Sequence, residues 1–458
     1  PIRNGEAEHT GCIPFYKMFQ AAVKSCSQGG VRGGAATLFY PFWHQEVESL
    51  LVLKNNKGTE DNRVRQMDYG IQLNKLAYER MVQKKNISLF SPSVSDDLYN
   101  SFFAPEDVFR KVYERLENDP LVPRKTIKAE DLWTLIANER GSTGRIYLQN
   151  VDHCNANSPF DWNVSPCKQS NLCLEVVLPT APMNDINDPN GEIALCTLAA
   201  FNLADVSQLE SDAEIIVNAL DNLLDYQHYP VKAAEKNKLR RTLGVGVVNY
   251  AYWLAKNGVK YSDGSANNLT HELFERIQYA LLKASNKLAQ EKGRCEWFDK
   301  TTYAKGVLPI DRYNRNVDDI VSVGYKQDWE ALRKDILQHG LRNSTLTALM
   351  PSETSSKISN ATNGIEPIRG LVTVKGSKES YYKQVVPEVL ELGDKYETVW
   401  STDINNGYIE LCAIMQKFID QTISANTNYD PRKYPDNKVP LAKVLKDIFK
   451  AYKLGVKT

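Results

Sequence analysis

Short apolar or β-branched runs alternate with amphipathic stretches along this whole chain, and that interleaving restricts the fold more than any other feature. Ile87-Ser88-Leu89-Phe90, Arg145-Ile146-Tyr147-Leu148, Cys173 to Leu178 and Leu243 to Val248 are bounded by turn residues and read as strands. The clearest helical stretch runs from Leu269 to Lys292, with Leu273, Phe274, Ile277, Ala280, Leu281, Ala284 and Leu288 at helical spacing. Asn268 is its expected cap and Gly293 its expected stop. Alternating β and α units predict an α/β architecture with mainly parallel strands. The 458 residues allow one very large domain or roughly three average ones. With no internal repeat and no low-complexity linker, one large domain over 1–458 is expected. Pro179 to Asn190, rich in Pro, Asn and Asp, reads as a surface loop rather than a boundary.

Charge and cysteine content narrow the function classes. Basic and acidic residues number 56 each, so net charge gives no reason to expect nucleic-acid or membrane binding. No apolar run approaches the ~20 residues of a membrane helix. Pro1-Ile2-Arg3-Asn4-Gly5 is not a signal-peptide start. The eight cysteines are sparse and irregularly spaced, which fits a reducing cytoplasm rather than a disulfide scaffold. No C-x-x-C pair is present, so zinc has little support. His153-Cys154 beside Asp152 is the only metal-like grouping, and it reads as a polar loop; no metal is expected. The chain starts on Pro1 and ends in Ala451-Tyr452-Lys453-Leu454-Gly455-Val456-Lys457-Thr458, a helix that reads as running onward. A piece of a longer polypeptide is expected.

Asn171-Leu172-Cys173-Leu174-Glu175, with Cys196 further on in Glu192-Ile193-Ala194-Leu195-Cys196-Thr197, carries the chemistry. On an extended segment, positions 171, 173 and 175 share one side. An amide, a thiol and a carboxylate at two-residue steps resemble a reaction centre. On the pentapeptide alone, an ordinary buried cysteine is the commoner outcome. Two further segments suit anions. Cys26-Ser27-Gln28-Gly29-Gly30-Val31-Arg32-Gly33-Gly34 sets four glycines around one arginine, permitting close backbone approach to a ligand, and a plain flexible turn is an equal reading. It lacks the Gly-Lys-Ser/Thr ending of a phosphate loop. Leu349-Met350 runs into Pro351-Ser352-Glu353-Thr354-Ser355-Ser356, a burst of hydroxyls able to open a helix. A capping segment without ligand is the commoner case for such a cluster.

Together these segments resemble the large, catalytic (α) subunit of class Ia ribonucleotide reductase. The resemblance covers essentially the whole chain and includes Pro14-Phe15-Tyr16, Trp43-His44, Leu51-Val52-Leu53-Lys54-Asn55-Asn56, Gly144-Arg145-Ile146-Tyr147, Arg342-Asn343-Ser344-Thr345-Leu346, Ser359-Asn360 and Ser424-Ala425-Asn426-Thr427-Asn428-Tyr429-Asp430. It implies a ten-stranded α/β barrel of the kind shared with glycyl-radical enzymes, built from two five-stranded halves around a central finger loop. Most of that barrel would be present here, without its first strand region, and Cys173 would sit at the loop tip inside it.

The resemblance also implies roles. Cys173 would form a transient thiyl radical that takes the 3′ hydrogen of a ribonucleoside diphosphate. Glu175 would act as base toward the 3′-hydroxyl, Asn171 would hold the sugar hydroxyls, and Cys196 would be one of two reducing thiols. Ser352, Glu353, Thr354, Ser355 and Ser356 would bind the diphosphate. Cys26, Ser27, Gln28, Gly29, Gly30, Arg32 and Gly33 match the loop that reports nucleoside triphosphate effectors to the site, and Arg3 matches an effector-phosphate contact. No cofactor would be bound in this chain. A metal-containing small (β) subunit would supply the radical, thioredoxin or glutaredoxin the reducing equivalents, and an α₂ homodimer is the expected assembly.

Against the family pattern, the second redox cysteine, the N-terminal regulatory module, the radical-carrying tyrosine pair and the mobile cysteine tail all fall outside this chain. Inactivity without those segments is expected. Three other readings compete. A glycyl-radical enzyme would need a glycine-radical loop, and Arg432 to Thr458 shows none. A non-catalytic partner would merely complete a barrel. A disulfide oxidoreductase is weakened by the missing C-x-x-C.

Overall fold

The computed structural model describes residues 10–30, 32–104, 107–376 and 381–458. The chain divides into two compact units, Pro1–Asp152 with Leu441–Leu445, and His153–Pro440 with Lys446–Thr458. No helix among the described residues is long and apolar enough to cross a membrane.

The first unit is built on a parallel three-stranded sheet of Thr37–Pro41, Asp68–Leu73 and Ile146–Asn150, with Asp68–Leu73 in the middle. That central strand is buried from Tyr69 to Leu73, as expected where both faces of a parallel sheet are covered. The crossover from Asp68–Leu73 to Ile146–Asn150 contains the helices Lys75–Val82, Asp107–Asn118 and Ala129–Thr143. Asn86–Leu89, close to the expected strand at 87–90, lies in that crossover and pairs antiparallel with Lys125–Lys128.

The second unit repeats the parallel pattern. Leu198–Asn202 pairs with Gly244–Val248. Parallel bridges then add Thr347 beside Val245 and Ile423 beside Leu349, so four segments run side by side in one direction. The helix Asn267–Lys292 packs against Leu209–Tyr226, Trp329–His339 and Ile404–Gln416. All seven apolar residues of its expected stripe are buried. So are many of its polar residues, several of them held by partners, while neither ring nitrogen of His271 has one among the described residues. Glu275 accepts from the Lys326 and Gln327 amides and from Trp329 Nε1, and Gln278 donates to Asp420. Asn286 donates to the Asp335 and Gly340 carbonyls.

Two expected termini shift. The helix begins at Asn267, not after Asn268, whose side chain instead bonds Ser322 from within the first turn. Gly293 does end it, at φ 85°. The last helix does not run on to Thr458 but stops at Lys453. Gly455 donates to the Tyr452 carbonyl and Val456 to that of Ala451, a Schellman turn with glycine in the left-handed position at φ 85°.

Gly407, in Ile404–Gln416, marks a backbone crossing. A Cβ there would lie 1.8 Å from the Tyr261 carbonyl oxygen. Neither backbone can yield cheaply, so Gly407→Ala is expected to destabilise the fold by about 3 kcal/mol. Urea unfolding checks this; an unchanged midpoint would contradict the close approach.

Candidate active site

Residues 171–175 do not form the extended strand expected of them. The Leu174 amide donates to the Asn171 carbonyl at 3.3 Å, closing a four-residue turn with Leu172 and Cys173 at its corners. Ser170 and Val177 pair antiparallel on either side. Asn171 and Glu175 therefore meet across the neck of a hairpin, not along one face of a strand, and Cys173 stands at the tip. The sequence LCL looked extended because Leu174 is buried for another reason, the turn being pressed onto a neighbouring strand, while Leu172 and Cys173 stay half-buried. Thr422 donates from its amide to the Glu175 carbonyl at 3.1 Å and from its hydroxyl to the Leu174 carbonyl.

Asn171 organises the group. Its amide nitrogen donates to Glu175 Oε1 at 2.8 Å and lies 3.5 Å from Cys196 Sγ, while its Oδ1 accepts from the Val176 amide at 3.1 Å. Glu175 is 3% exposed, and its second oxygen, Oε2, has no partner among the described residues. Burial pushes this carboxyl above the usual carboxylate range, with the Asn171 bond pulling partly back. Cys196 is an exposed residue, yet its sulfur is enclosed enough that desolvation, then the charge of Glu175, push the thiol up to about 11. Cys173, half-buried, adds to that shift, so the two sulfurs share one electrostatic environment. At neutral pH Cys196 is a protonated thiol, able to give a proton, and Glu175 in its carboxylate form is placed to take one.

The hydroxyl-rich stretch follows Leu349 on the strand beside Ile423, next to the strand that carries the Cys173 turn. Ser352 and Ser356 are buried, whereas Glu353, Thr354 and Ser355 are exposed. A short helix, Ser355–Ile358, opens there, with the Ser356 amide donating to the Ser352 carbonyl at 3.0 Å and the Lys357 amide to that of Thr354 at 3.2 Å. Sequence reading missed what shapes this loop. Asn363 Oδ1 holds the Ser352 amide at 2.7 Å, and Glu366 receives Asn363 and Asn426 at 3.2 and 2.6 Å. Asn249, at φ 75°, exchanges backbone and side-chain bonds with Thr362 and donates to Asn202. The loop is thereby tied to the ends of Leu198–Asn202 and Gly244–Val248. The Asn363-Gly364 pair was the one available signal, a turn dipeptide. Arg342-Asn343, quoted above as part of the resemblance, is structural: both side chains bond the buried Asp221, which also pairs with Arg241.

In the first unit, Ser27–Gln28 and Arg32–Gly33 form a small antiparallel hairpin, with Gly29 and Gly30 at φ 58° and 72°. Cys26, Ser27, Gly29, Gly30, Arg32 and Gly33 are exposed. Arg3 lies outside the described residues. His153-Cys154 is not the sole metal-like grouping, since Cys12, His44 and Glu46 offer ligand atoms within 4.8 Å of one another. His153 instead stacks on Tyr452 at 4.2 Å.

Comparison with known proteins gives the family. A family model described as ribonucleotide reductase, barrel domain, matches residues 1–394 and 389–458. The chain is 63% identical over 461 residues to the ribonucleoside-diphosphate reductase subunit alpha of Haemophilus influenzae. It is 63% identical over 462 residues to subunit alpha of reductase 1 of Escherichia coli, and 53% identical over 464 residues to subunit alpha of Enterobacteria phage T4. Each match takes in 100% of this chain and 61% of the relative. The mixed α/β architecture with parallel sheets agrees with that assignment. On this evidence the chain belongs to the ribonucleotide reductase barrel-domain family.

Proposed function

We propose that this chain is the catalytic core of a ribonucleoside-diphosphate reductase large subunit, a single barrel domain incomplete at both ends, reducing ribonucleoside diphosphates to deoxyribonucleoside diphosphates. The observation that carries the reading is Glu175. One of its oxygens is held by Asn171, the other is buried without a partner among the described residues, and the Cys196 thiol beside it shares its electrostatic environment with Cys173.

The chemistry follows from those groups. A small subunit supplies the oxidising equivalent that makes the Cys173 thiyl. That sulfur takes the hydrogen atom from C3′, becoming a thiol and leaving a carbon radical. Glu175 takes the 3′-hydroxyl proton, which eases departure of the 2′-hydroxyl. This group leaves as water with a proton from Cys196, whose raised pKa keeps that proton in place. Cys196 and a second thiol give two electrons to the sugar and close to a disulfide, and Cys173 returns its hydrogen to C3′. A thioredoxin or glutaredoxin dithiol then reduces the disulfide. Asn171 holds the sugar hydroxyls and fixes Glu175, and Ser352, Glu353, Thr354, Ser355 and Ser356 bind the diphosphate. The hairpin from Cys26 to Gly33, with Arg3, serves triphosphate effectors in an α₂ assembly acting in the cytoplasm.

The second reducing thiol and the radical inlet belong to segments outside this chain, so turnover requires complementation. CDP reduction is assayed with the small subunit, with and without an upstream α fragment. Turnover is expected only when the fragment is added. Turnover with chain and small subunit alone would overturn the dependence, and silence in both arms beside an active intact α subunit would overturn the catalytic reading.

A further inference from the structure

The turn that carries Cys173 is strained, and something must hold it. Leu174 sits at φ 69°, in the left-handed region that disfavours residues with a Cβ. Such outliers persist where neighbouring contacts over-determine them. Thr422 supplies part of that restraint through the Leu174 and Glu175 carbonyls. The rest comes from far along the sequence. The Schellman turn at Gly455 redirects the chain so that Thr458 lies between the turn and its supporting strand, its hydroxyl 3.2 Å from the Leu174 carbonyl and 2.8 Å from the Ile423 carbonyl. Lys457 is buried beside it, 1% exposed. Its Nζ donates to the carbonyls of Asn157, Asp420 and Gln421 at 2.6, 2.9 and 2.6 Å, and burial pulls its pKa down to about 7. Asp420 and Gln421 lead directly into the strand that Thr422 and Ile423 occupy, so the lysine fixes that strand's start while the threonine closes over its middle.

We propose that Thr458 is a positioning residue for the radical-bearing cysteine: Lys457 anchors the segment Leu454–Thr458 to the strand, and the Thr458 hydroxyl, its one hydrogen shared between the Ile423 carbonyl at 2.8 Å and the Leu174 carbonyl at 3.2 Å, ties the turn to the strand so that Cys173 is held at one place and angle. The inference rests on the catalytic reading above. Hydrogen-atom transfer demands close approach, and a displacement of about 1 Å at the reacting atom can cost on the order of 10²-fold in rate. Thr458 touches neither thiol directly, so it acts through Leu174.

The test uses the assembled reductase, with Thr458→Val, Thr458→Ser and Cys173→Ser compared in parallel. Valine keeps the shape and removes the hydroxyl; serine restores the hydroxyl. The expected result for Thr458→Val is a fall of about 10- to 100-fold in kcat, little change in KM for the diphosphate, and faster loss of the small subunit's radical signal per turnover. Thr458→Ser should recover most of the rate. A melting temperature within about 2 °C of wild type separates positioning from general loosening. Wild-type kcat in Thr458→Val, or equal losses in the valine and serine variants, would overturn the proposal. Activity surviving in Cys173→Ser would instead overturn the reading on which it rests.

Discussion

Cys173→Ser is expected to abolish nucleotide reduction in the assembled enzyme, by a factor on the order of 10⁴ or more, while binding of a ribonucleoside diphosphate persists. Removing a group through which a reaction must pass costs far more than removing one that assists it. A serine hydroxyl keeps the size and polarity of the thiol, but its O–H bond is too strong for the oxygen radical to be formed and exchanged in the same way. The turn should survive, because its closing bonds are backbone bonds from Leu174 to Asn171 and from Thr422 to Glu175. Steady-state CDP reduction with equilibrium binding of CDP checks both halves. Unaffected turnover would favour the competing view of the chain as a scaffold.

Glu175→Gln carries the second large effect. Loss of a positioned general base costs about 10²–10⁴-fold in kcat, and the amide can still accept the bond from Asn171. Burial raises the Glu175 pKa, so the carboxylate needed as base is present above that raised value and is lost as pH falls through it. The wild-type rate should therefore drop on the acid side at a pH above the usual carboxylate range. In Glu175→Gln that limb should vanish along with most of the rate. A pH–rate profile of the two proteins is the check, and a glutamine variant keeping both rate and limb would remove Glu175 from the mechanism.

Much of the fold was readable where one physical signal dominated. The stripe from Leu273 to Leu288 and the strand at 243–248 are buried apolar runs, and they appear close to their expected limits. Other elements were hidden by composition. Asp68–Leu73 contains Gly70 and Gln72, and Leu198–Asn202 contains Ala199 and Ala200, residues that weaken a strand signal; parallel neighbours bury the first pair and leave the second half-buried. The long helix is buried on polar rows as well, and only partners distant in sequence, such as Asp420 for Gln278, make those positions stable.

At the site, residue types were legible and their arrangement was not. Asn171, Glu175 and Cys196 do meet, but through a hairpin whose turn has an apolar residue at positive φ, which no local propensity suggests. Thr422 and Thr458 went unnoticed because an isolated Thr carries no distinguishing pattern, and Asn363 because its Asn-Gly pair signals only a turn. Their roles arise from long-range hydrogen bonds to backbone atoms.

The account turns on where a ribose would lie against the Cys173 turn. The most direct measurement is an experimental structure of the complemented α subunit with a ribonucleoside diphosphate bound. The predicted result places C3′ about 3–3.5 Å from Cys173 Sγ, with the 3′-oxygen on Glu175 Oε2 and the diphosphate against Ser352 to Ser356. A nucleotide bound productively elsewhere, with Cys173 and Glu175 both out of reach of its sugar, would contradict it.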